Sequence, residues 1–180
     1  MTDKETIEKI IIRKAELKDI YNLQKIGKQT FVETFSEGNT EENLKKYLEE
    51  GFSIEKLTDE LKDQNSEFYF AEVNYEVIGY LKLNSGQSQT ELQHDNALEI
   101  ERIYVLKEFH GKRVAQMLYQ KAIEVANRLD VDFVWLGVWE ENPRAIRFYK
   151  KNGFVEFDKH IFKLGDDEQT DIMMKLQLKR

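Results

Sequence analysis

A short basic loop that opens a long helix is the stretch of this sequence best suited to chemistry. The loop covers residues 109–113 (FHGKR), and from Val114 to Leu129 apolar residues recur at helical spacing. The first turn of a helix leaves backbone N–H groups without intrahelical partners, and the helix dipole adds partial positive charge there. The pattern therefore predicts a phosphate-binding site at this loop.

The residues before the loop form a predicted strand that carries two carboxylates. Residues 98–105 (LEIERIYV) alternate in the way typical of a strand. Side chains two residues apart share a face, so Glu99 and Glu101 are expected on the same side. The expected faces are Glu99, Glu101, Ile103 and Val105 on one side, and Leu98, Ile100 and Tyr104 on the other.

Length and composition predict a single domain over residues 1–180. Apolar residues make up 41% of the 180 residues, which is ordinary for a globular protein. No apolar run approaches the roughly 20 residues that span a bilayer, and the first residues lack the apolar core of a secretory signal. The absence of cysteine excludes disulfides, thiolate nucleophiles and Cys-ligated metals, and favours a cytoplasmic location.

The net charge and the spacing of the histidines indicate which metals, macromolecules and substrates the protein is expected to bind. The histidines at 94, 110 and 160 show no metal-ligand spacing, so we expect no metal. The net charge of −7 disfavours nucleic-acid binding, for which a basic surface is typical. An acidic protein attracts cationic substrates such as amines, although the same charge also serves solubility alone. We expect neither a nucleic-acid nor a membrane partner.

The other patterns predict a sheet covered by helices, in an α+β or α/β layered arrangement. Residues 132–139 (DFVWLGVW) read as a strand buried on both faces. The only proline, Pro143, is expected at the first position of a helix that Gly153 ends. The other predicted helices start at caps Asp19, Thr40 and Ser53, and the other predicted strands are 9–14, 67–73, 77–83, 154–157, 161–164 and 171–178.

Two of these segments resemble the GNAT N-acetyltransferases. LEIERIYVLKEFHGKRVAQMLY (98–119) is similar to that family's strand, pyrophosphate loop and helix. VWLGVWEENPRAIRFYKKNGF (134–154) is similar to its next strand, Asn-containing turn and Tyr-bearing helix. The resemblance implies an acyltransferase that uses acetyl-CoA as co-substrate. It also implies the GNAT fold, a mixed, mostly antiparallel sheet of about seven strands, flanked by helices and splayed between its two central strands.

Within that family the sequence is most similar to the PaiA-type spermidine/spermine acetyltransferases. The segments that carry this closer resemblance are FSEGNTEENLKKYLEEGFS, LEIERIYV, WLGVWEEN and GDDEQTDIMM. It implies acetyl transfer to a primary amine of a small polycation, by direct attack in a ternary complex. Two alternatives remain: a protein N-terminal or lysine acetyltransferase, and a non-catalytic acyl-CoA-binding regulatory module. Both a monomer and a homodimer are compatible with the sequence.

The resemblance also implies roles for particular residues. A free alkylamine has a pKa of about 10.4, so the substrate arrives protonated, and Glu99 or Glu101 is expected to take that proton directly or through water. Tyr149 is expected to donate to the leaving thiolate, and a backbone N–H near Gly137 or Val138 to the thioester oxygen. The residues implied in acetyl-CoA binding are Ile103, Tyr104, Val105, His110, Gly111, Lys112, Arg113, Val114, Ala115, Gln116, Val138, Asn142, Ala145, Phe148, Tyr149 and Lys151.

The loop departs from the family pattern Q/R-x-x-G-x-G/A in two places. His110 stands at the Gln/Arg position, and Arg113 replaces the first glycine. If that position requires a positive φ, Arg113 carries a strain cost or changes the loop's shape. Gly111 offers compensating freedom, and Lys112 and Arg113 could reach phosphate oxygens as cations.

Overall fold

One mixed sheet organises the fold in the computed structural model, which describes residues 9–91 and 94–179. Within these residues seven strands lie in the order β1-β2-β3-β4-β5-β7-β6, with β4 and β5 parallel and all other neighbours antiparallel. The predicted α+β layered fold is confirmed. The strands are β1 Ile11–Lys14, β2 Ser66–Val73, β3 Glu76–Ser85, β4 Ala97–Val105, β5 Phe133–Trp139, β6 Val155–Leu164 and β7 Asp167–Gln177.

Five α-helices in the described residues cover the two faces of the sheet. They are α1 Ile20–Phe35, α2 Glu41–Gly51, α3 Ile54–Lys62, α4 Val114–Arg128 and α5 Pro143–Lys151. Helix α4 packs on one face, where a Cβ added at Gly79 of β3 would lie 3.4 Å from Leu118. Helix α1 packs on the other, where a Cβ added at Gly27 would lie 3.7 Å from the Tyr80 hydroxyl. None of the helices in the described part combines the length and hydropathy needed to span a bilayer.

Two of the three predicted N-cap side chains make the expected hydrogen bond, and the third does not. Thr40 Oγ1 accepts from the Asn43 N–H and Ser53 Oγ from the Lys56 N–H, each at 3.1 Å. Asp19 also precedes its helix, but its carboxylate accepts from the Glu16 N–H and from both ends of the Arg13 guanidinium. The prediction that Asp19 caps α1 with its side chain is wrong, because the ion pair with Arg13 turns the carboxylate back toward β1.

The last strands are longer than the sequence pattern predicts. Residues 155–164, expected as two short strands around a polar break, form the single strand β6. A register shift between Glu156 and Asp158 bends it against β7. Because β6 is an edge strand with largely exposed residues, its polar middle does not interrupt pairing.

A bulge at Glu101 changes the faces of β4. The register pairs Ile100 with Leu83 and Arg102 with Lys82, so Glu101 has no residue opposite it. The extra residue reverses the alternation beyond it. The predicted faces are therefore wrong past Glu101: Ile103 and Val105 share the α4 face with Leu98 and Ile100, whereas Tyr104 and Arg102 share the α1 face with Glu99.

The sheet is splayed between its two central strands, as predicted. The parallel ladder of β4 and β5 joins only residues 97–99 to residues 133–135. Beyond these pairs β4 continues to Val105 and β5 to Trp139 without pairing to each other.

Candidate active site

A cavity of about 430 Å³ passes through the gap between β4 and β5. Its lining includes residues from both faces of the sheet. On the α4–α5 side it is lined by Ile103, Val105, His110, Ala115, Val138, Asn142, Arg144, Ala145, Phe148 and Tyr149. On the α1–α2 side it is lined by Phe31, Phe35, Tyr47, Phe52, Thr90, Glu91, Glu99, Glu101, Arg102, Tyr104, Trp135, Trp139, His160, Phe162, Asp171 and Met173.

The edge of β4 turns backbone groups that no neighbouring strand pairs toward this gap. The Leu106 N–H donates to the Ile78 C=O at 2.8 Å, so Leu106 faces β3. Antiparallel strands alternate the direction of their polar groups, so those of Ile103 and Val105 point into the gap. The ring Nε2 of His110 lies 2.8 Å from the Val105 C=O. The backbone groups of Ile103 and the Val105 N–H can therefore pair with an extended amide chain in the manner of strand addition, and the Val105 C=O can do so when the His110 ring moves aside.

The same alternation shows which backbone N–H of β5 points into the gap, where the thioester oxygen is expected. The Glu140 N–H donates to the Thr170 C=O of β7 at 3.0 Å. Val138, two residues earlier, therefore also directs its backbone groups to β7, and Gly137 directs its own into the gap. Of the two donors expected from the sequence, the geometry favours the Gly137 N–H, while Val138 contributes its side chain to the cavity wall.

The loop before α4 takes left-handed backbone conformations at two positions. Gly111 has a φ of +81° and Arg113, the N-cap of α4, has a φ of 64°. The position at which the family has glycine does require a positive φ, and Arg113 adopts it at a cost of about 1–2 kcal/mol. Such a loop gathers backbone N–H groups at the positive end of the helix.

Ten of the sixteen residues expected to bind acetyl-CoA line the cavity, and six do not. Gln116 bonds Asn152 of α5 through its side chain, and the Lys112 ammonium lies 5.2 Å from the Phe109 ring centre. The backbone of this loop remains available at the mouth of the cavity. The six outside the described lining are Gly111, Lys112, Arg113, Val114, Gln116 and Lys151.

Tyr149 is held in the cavity wall by a well-formed helix. Pro143 begins α5, and Asn142 Oδ1 accepts from the Ala145 N–H at 3.2 Å. The Tyr149 ring packs edge-on against Phe148 and Phe154, and the residue is 6% exposed. Burial holds the pKa of the Tyr149 hydroxyl well above its ordinary value, so it keeps its proton and can donate it.

Glu101 is committed to a buried ion cluster. Its carboxylate pairs with Lys82, which also lies 3.3 Å from Glu60. Arg102 lies 3.8 Å from Glu60 and 4.9 Å from the Phe52 ring centre. Burial pushes the pKa of Glu101 upward, but the charges of Arg102 and Lys82 outweigh it and hold the pKa below its usual value.

Glu99 is held by hydrogen bonds from the β3–β4 connection. It is 3% exposed and accepts from the Asn84 amide at 3.0 Å and from the Thr90 N–H at 2.8 Å. The Thr90 hydroxyl donates to its second oxygen. Burial raises the pKa of Glu99 despite these bonds. Glu99 thus lies in the cavity wall and ties the connection to β4.

Sequence reasoning missed a second group of titratable residues in the wall. Asp171 of β7 pairs with Trp139 on one side and His160 on the other. His160 Nδ1 lies 2.6 Å from Glu91 Oε1. Asp171 occurs within GDDEQTDIMM, a segment noted only for its resemblance. The alternation of residues 171–178 indicates which side chains share a face of that strand. It does not indicate that the strand lies beside β5, which is what brings Asp171 to the cavity.

Burial and charge set the state of Asp171. The pKa of Asp171 is raised to about 6, mainly by burial; the charge of His160 opposes this rise, and that of Glu91 adds to it. The carboxylate lies against β5, where a Cβ added at Gly137 would be 3.2 Å from Asp171 Oδ2. In the part of the chain that the structure describes, this carboxylate makes no hydrogen bond or ion pair.

Comparison with known proteins decides the family. Residues 25–154 match the acetyltransferase (GNAT) family. The chain belongs to the GNAT family. An uncharacterized N-acetyltransferase of Lactobacillus delbrueckii subsp. lactis is 40% identical over 161 residues, which are 89% of this chain and 93% of that protein. The spermidine N(1)-acetyltransferase of Thermoplasma acidophilum is 25% identical over 92% of this chain and 96% of that protein.

Solved structures confirm the GNAT fold. The crystal structure of the PaiA N-acetyltransferase from Thermoplasma acidophilum in complex with coenzyme A matches with a TM-score of 0.78 at 24% identity. The match covers 94% of this chain and 99% of that one. A probable acetyltransferase from Staphylococcus epidermidis matches with a TM-score of 0.74 at 16% identity, over 95% and 100%. The predicted similarity to PaiA-type proteins is confirmed.

As a GNAT protein, the chain is an N-acetyltransferase with acetyl-CoA as co-substrate. The residues present fit acetyl-CoA, because the gap offers the free β4 edge and leads to the loop before α4. Among the described residues no group of three His, Asp or Glu side chains is placed to hold a metal ion.

Proposed function

We propose that this GNAT enzyme acetylates a primary amine of a small polycation such as spermidine or spermine, by direct attack in a ternary complex. One observation carries the proposal. Glu91, Glu99 and Asp171 line the α1–α2 side of the cavity, and none of them pairs with Lys or Arg in the described residues. A substrate with ammonium groups would supply the missing positive charge.

Aromatic side chains support the same class of substrate. Phe31 stacks on Tyr47 with ring centres 4.4 Å apart, and Phe35 packs against Trp139 at 4.9 Å. Ring faces attract ammonium groups, and ring edges pack against the methylenes between them. The described lining on this side contains one Lys or Arg, Arg102, which is engaged by Glu60 and Glu101. This side of the cavity, called the chamber below, therefore favours an alkyl chain with several amines.

The proposed roles divide the site at the gap. The loop before α4 holds the pyrophosphate, and Ile103 and Val105 pair with the pantetheine amides. The Gly137 N–H stabilises the charge that develops on the thioester oxygen, and Tyr149 donates a proton to the departing sulfur. A carboxylate of the chamber takes the proton from the ammonium group, with Glu99 and Glu101 as the residues expected from the sequence.

Similarity to the Thermoplasma spermidine acetyltransferase supports a polyamine substrate, at 25% identity. The proposal also treats residues 1–180 as one catalytic domain, which the single sheet of the described residues supports. It includes a cytoplasmic location, expected from the cysteine-free sequence, and either a monomer or a homodimer.

The proposal is tested by measuring the release of the CoA thiol from acetyl-CoA in the presence of each amine of a panel. The panel contains spermidine, spermine, putrescine, a monoamine of matched length, and peptides with a free N-terminus or a lysine. We expect kcat/KM to be highest for the polyamines, because only these place a second ammonium group among the carboxylates. Release only with peptides would favour a protein acetyltransferase, and acetyl-CoA binding without release on any amine would favour a regulatory module.

A further inference from the structure

We propose that Asp171 of β7, rather than Glu99 or Glu101 of β4, takes the proton from the attacking ammonium group. The inference rests on the proposed acetyl transfer to an amine, but it does not depend on which amine is used. Three observations carry it: the place of Asp171 beside the backbone donor, the competing bonds of the β4 carboxylates, and the groups that surround Asp171.

The place of Asp171 is fixed by β7. Its carboxylate lies against Gly137, with Oδ2 only 3.2 Å from where a Cβ would stand. Gly137 is also the residue whose N–H points into the gap. A thioester oxygen bound by that N–H would have its carbonyl carbon within a few ångströms of the Asp171 carboxylate. An amine that attacks this carbon from the α1–α2 side passes Asp171.

The two carboxylates of β4 are less available. Glu101 is paired with Lys82, and the pair holds its pKa low, which makes it a weak proton acceptor. Glu99 uses both oxygens to accept from Asn84 and Thr90. Asp171 has no such bond within the described residues, so its lone pairs are free for a substrate N–H.

The groups around Asp171 tune it for proton transfer near neutral pH. Within residues 9–91 and 94–179, the titratable side chains that face it are His160 on the neighbouring strand, Glu91 on the β3–β4 connection and Tyr47 on α2. Burial is the largest influence and brings its pKa to about 6. A carboxylate with that pKa is ionised at pH 7 and is a better base than an exposed one.

The ammonium group gives one proton to Asp171, and the freed lone pair forms the C–N bond to the thioester carbon. The C–S bond breaks, and its electron pair leaves with the sulfur, which takes the Tyr149 proton to become the thiol. The nitrogen loses its second proton to the Tyr149 oxygen, which restores the hydroxyl. Asp171 returns its proton to solvent before the next turnover.

The experiment compares Asp171→Asn, Glu99→Gln and Asp166→Asn on whichever amine the wild-type enzyme acetylates fastest. Asp166 is an exposed residue in the turn before β7, so its change removes the same charge outside the site. Steady-state kcat and KM are measured from pH 5 to pH 10. Acetyl-CoA affinity by calorimetry and the Tm of the unliganded protein at pH 4 and pH 8 are measured alongside.

We expect Asp171→Asn to lower kcat at pH 7 by about 10²–10⁴-fold and to abolish the acidic limb of the kcat profile. Its residual rate should rise with pH as free amine accumulates, with acetyl-CoA affinity unchanged. Its Tm should exceed that of the wild type, more at pH 8 than at pH 4, because a buried ionised carboxylate has been removed. Asp166→Asn should match the wild type in kcat.

Several results would overturn the assignment. A rise in KM with kcat and the acidic limb intact would make Asp171 an anchor for the ammonium group only. If Glu99→Gln, and not Asp171→Asn, abolished the acidic limb of the kcat profile, the proton acceptor would be Glu99 of β4. Activity on peptides alone would refute the polyamine substrate and still test Asp171 on the peptide amine, whereas no release with any amine would overturn both.

Discussion

The carboxylate of Asp171 lies over the bare backbone of Gly137, on the strand beside it. A Cβ at Gly137 would stand 3.2 Å from Asp171 Oδ2, closer than side chains ordinarily pack. The absence of a side chain at Gly137 thus gives Asp171 its place in the cavity. In the proposed mechanism, Gly137 supplies the backbone N–H for the thioester oxygen, and Asp171 supplies the carboxylate that accepts the proton of the amine.

This contact predicts the effect of Gly137→Ala. The added methyl group must move the Asp171 carboxylate by a few tenths of an ångström, and a displacement of about 1 Å at a reacting group costs up to about 10²-fold in rate. We therefore expect kcat to fall by about 2–10-fold, with acetyl-CoA affinity retained. In a double-mutant cycle, Gly137→Ala should cost little more in an Asp171→Asn background. Full additivity would show that the methyl group acts elsewhere.

Asp171 should also leave a signature in the pH dependence of stability. Its folded pKa of about 6 lies above the ordinary value of 3.8, so the folded state binds the proton more tightly than the unfolded state. Stability from this group is therefore present at low pH and is lost as pH rises from about 4 to about 6. Allowing for partial exposure, we expect Asp171→Asn to raise the free energy of unfolding at pH 8 by about 1–2 kcal/mol. Urea unfolding at pH 4 and pH 8 measures it, and an equal gain at both would contradict the assignment.

The hydroxyl of Tyr149 should matter for the chemical step alone. Tyr149→Phe keeps the buried ring and removes the proton donor, so we expect kcat to fall by about 10–10²-fold with KM for acetyl-CoA little changed. Tyr119→Phe is the matched control, because Tyr119 is a buried tyrosine of α4 that packs on Phe148 and Phe154 outside the described cavity lining. Undiminished turnover of Tyr149→Phe at every pH would remove Tyr149 from the chemistry.

The left-handed conformation of Arg113 should make glycine stabilising there. Relief of strain is worth about 1–2 kcal/mol, and the extra freedom of glycine in the unfolded chain returns part of it. We expect Arg113→Gly to raise the free energy of unfolding by about 0.5–1 kcal/mol. Arg113→Ala, which also loses the guanidinium but keeps the strain, should show no such gain. Chemical denaturation of both variants measures the difference, and equal stabilities would place no strain at this residue.

Lys82 should be required for stability because of its buried partners. Lys82→Met leaves Glu101 and Glu60 beside Arg102 alone, and breaking a buried pair typically costs about 3–5 kcal/mol. Lys121→Met is the control, since Lys121 pairs with the exposed Glu124 and should change stability by less than about 1 kcal/mol. Equal effects of the two changes would contradict a structural role for the Lys82 pair.

Local patterns were enough to predict most elements of the fold. The caps at Thr40 and Ser53, the proline that begins α5 and the apolar stripe of α4 each act within a few residues, so their physics can be read along the chain. The positive φ at Arg113 is likewise indicated by the sequence, because the family's loop pattern has glycine at that position. Asp19 departs from the cap pattern because its carboxylate bonds Arg13, six residues earlier in β1, and the cap pattern itself gives no sign of that ion pair.

The sequence by itself determined the family, the loop that opens α4 and the place of Tyr149, because contiguous residues carry all three. Only the tertiary structure decided which carboxylates reach the gap and in what state. The bulge at Glu101 depends on the register with β3, and the position of Asp171 depends on β7 lying beside β5. Register and strand order are set by packing across the whole sheet, so alternation within one strand could not reveal them.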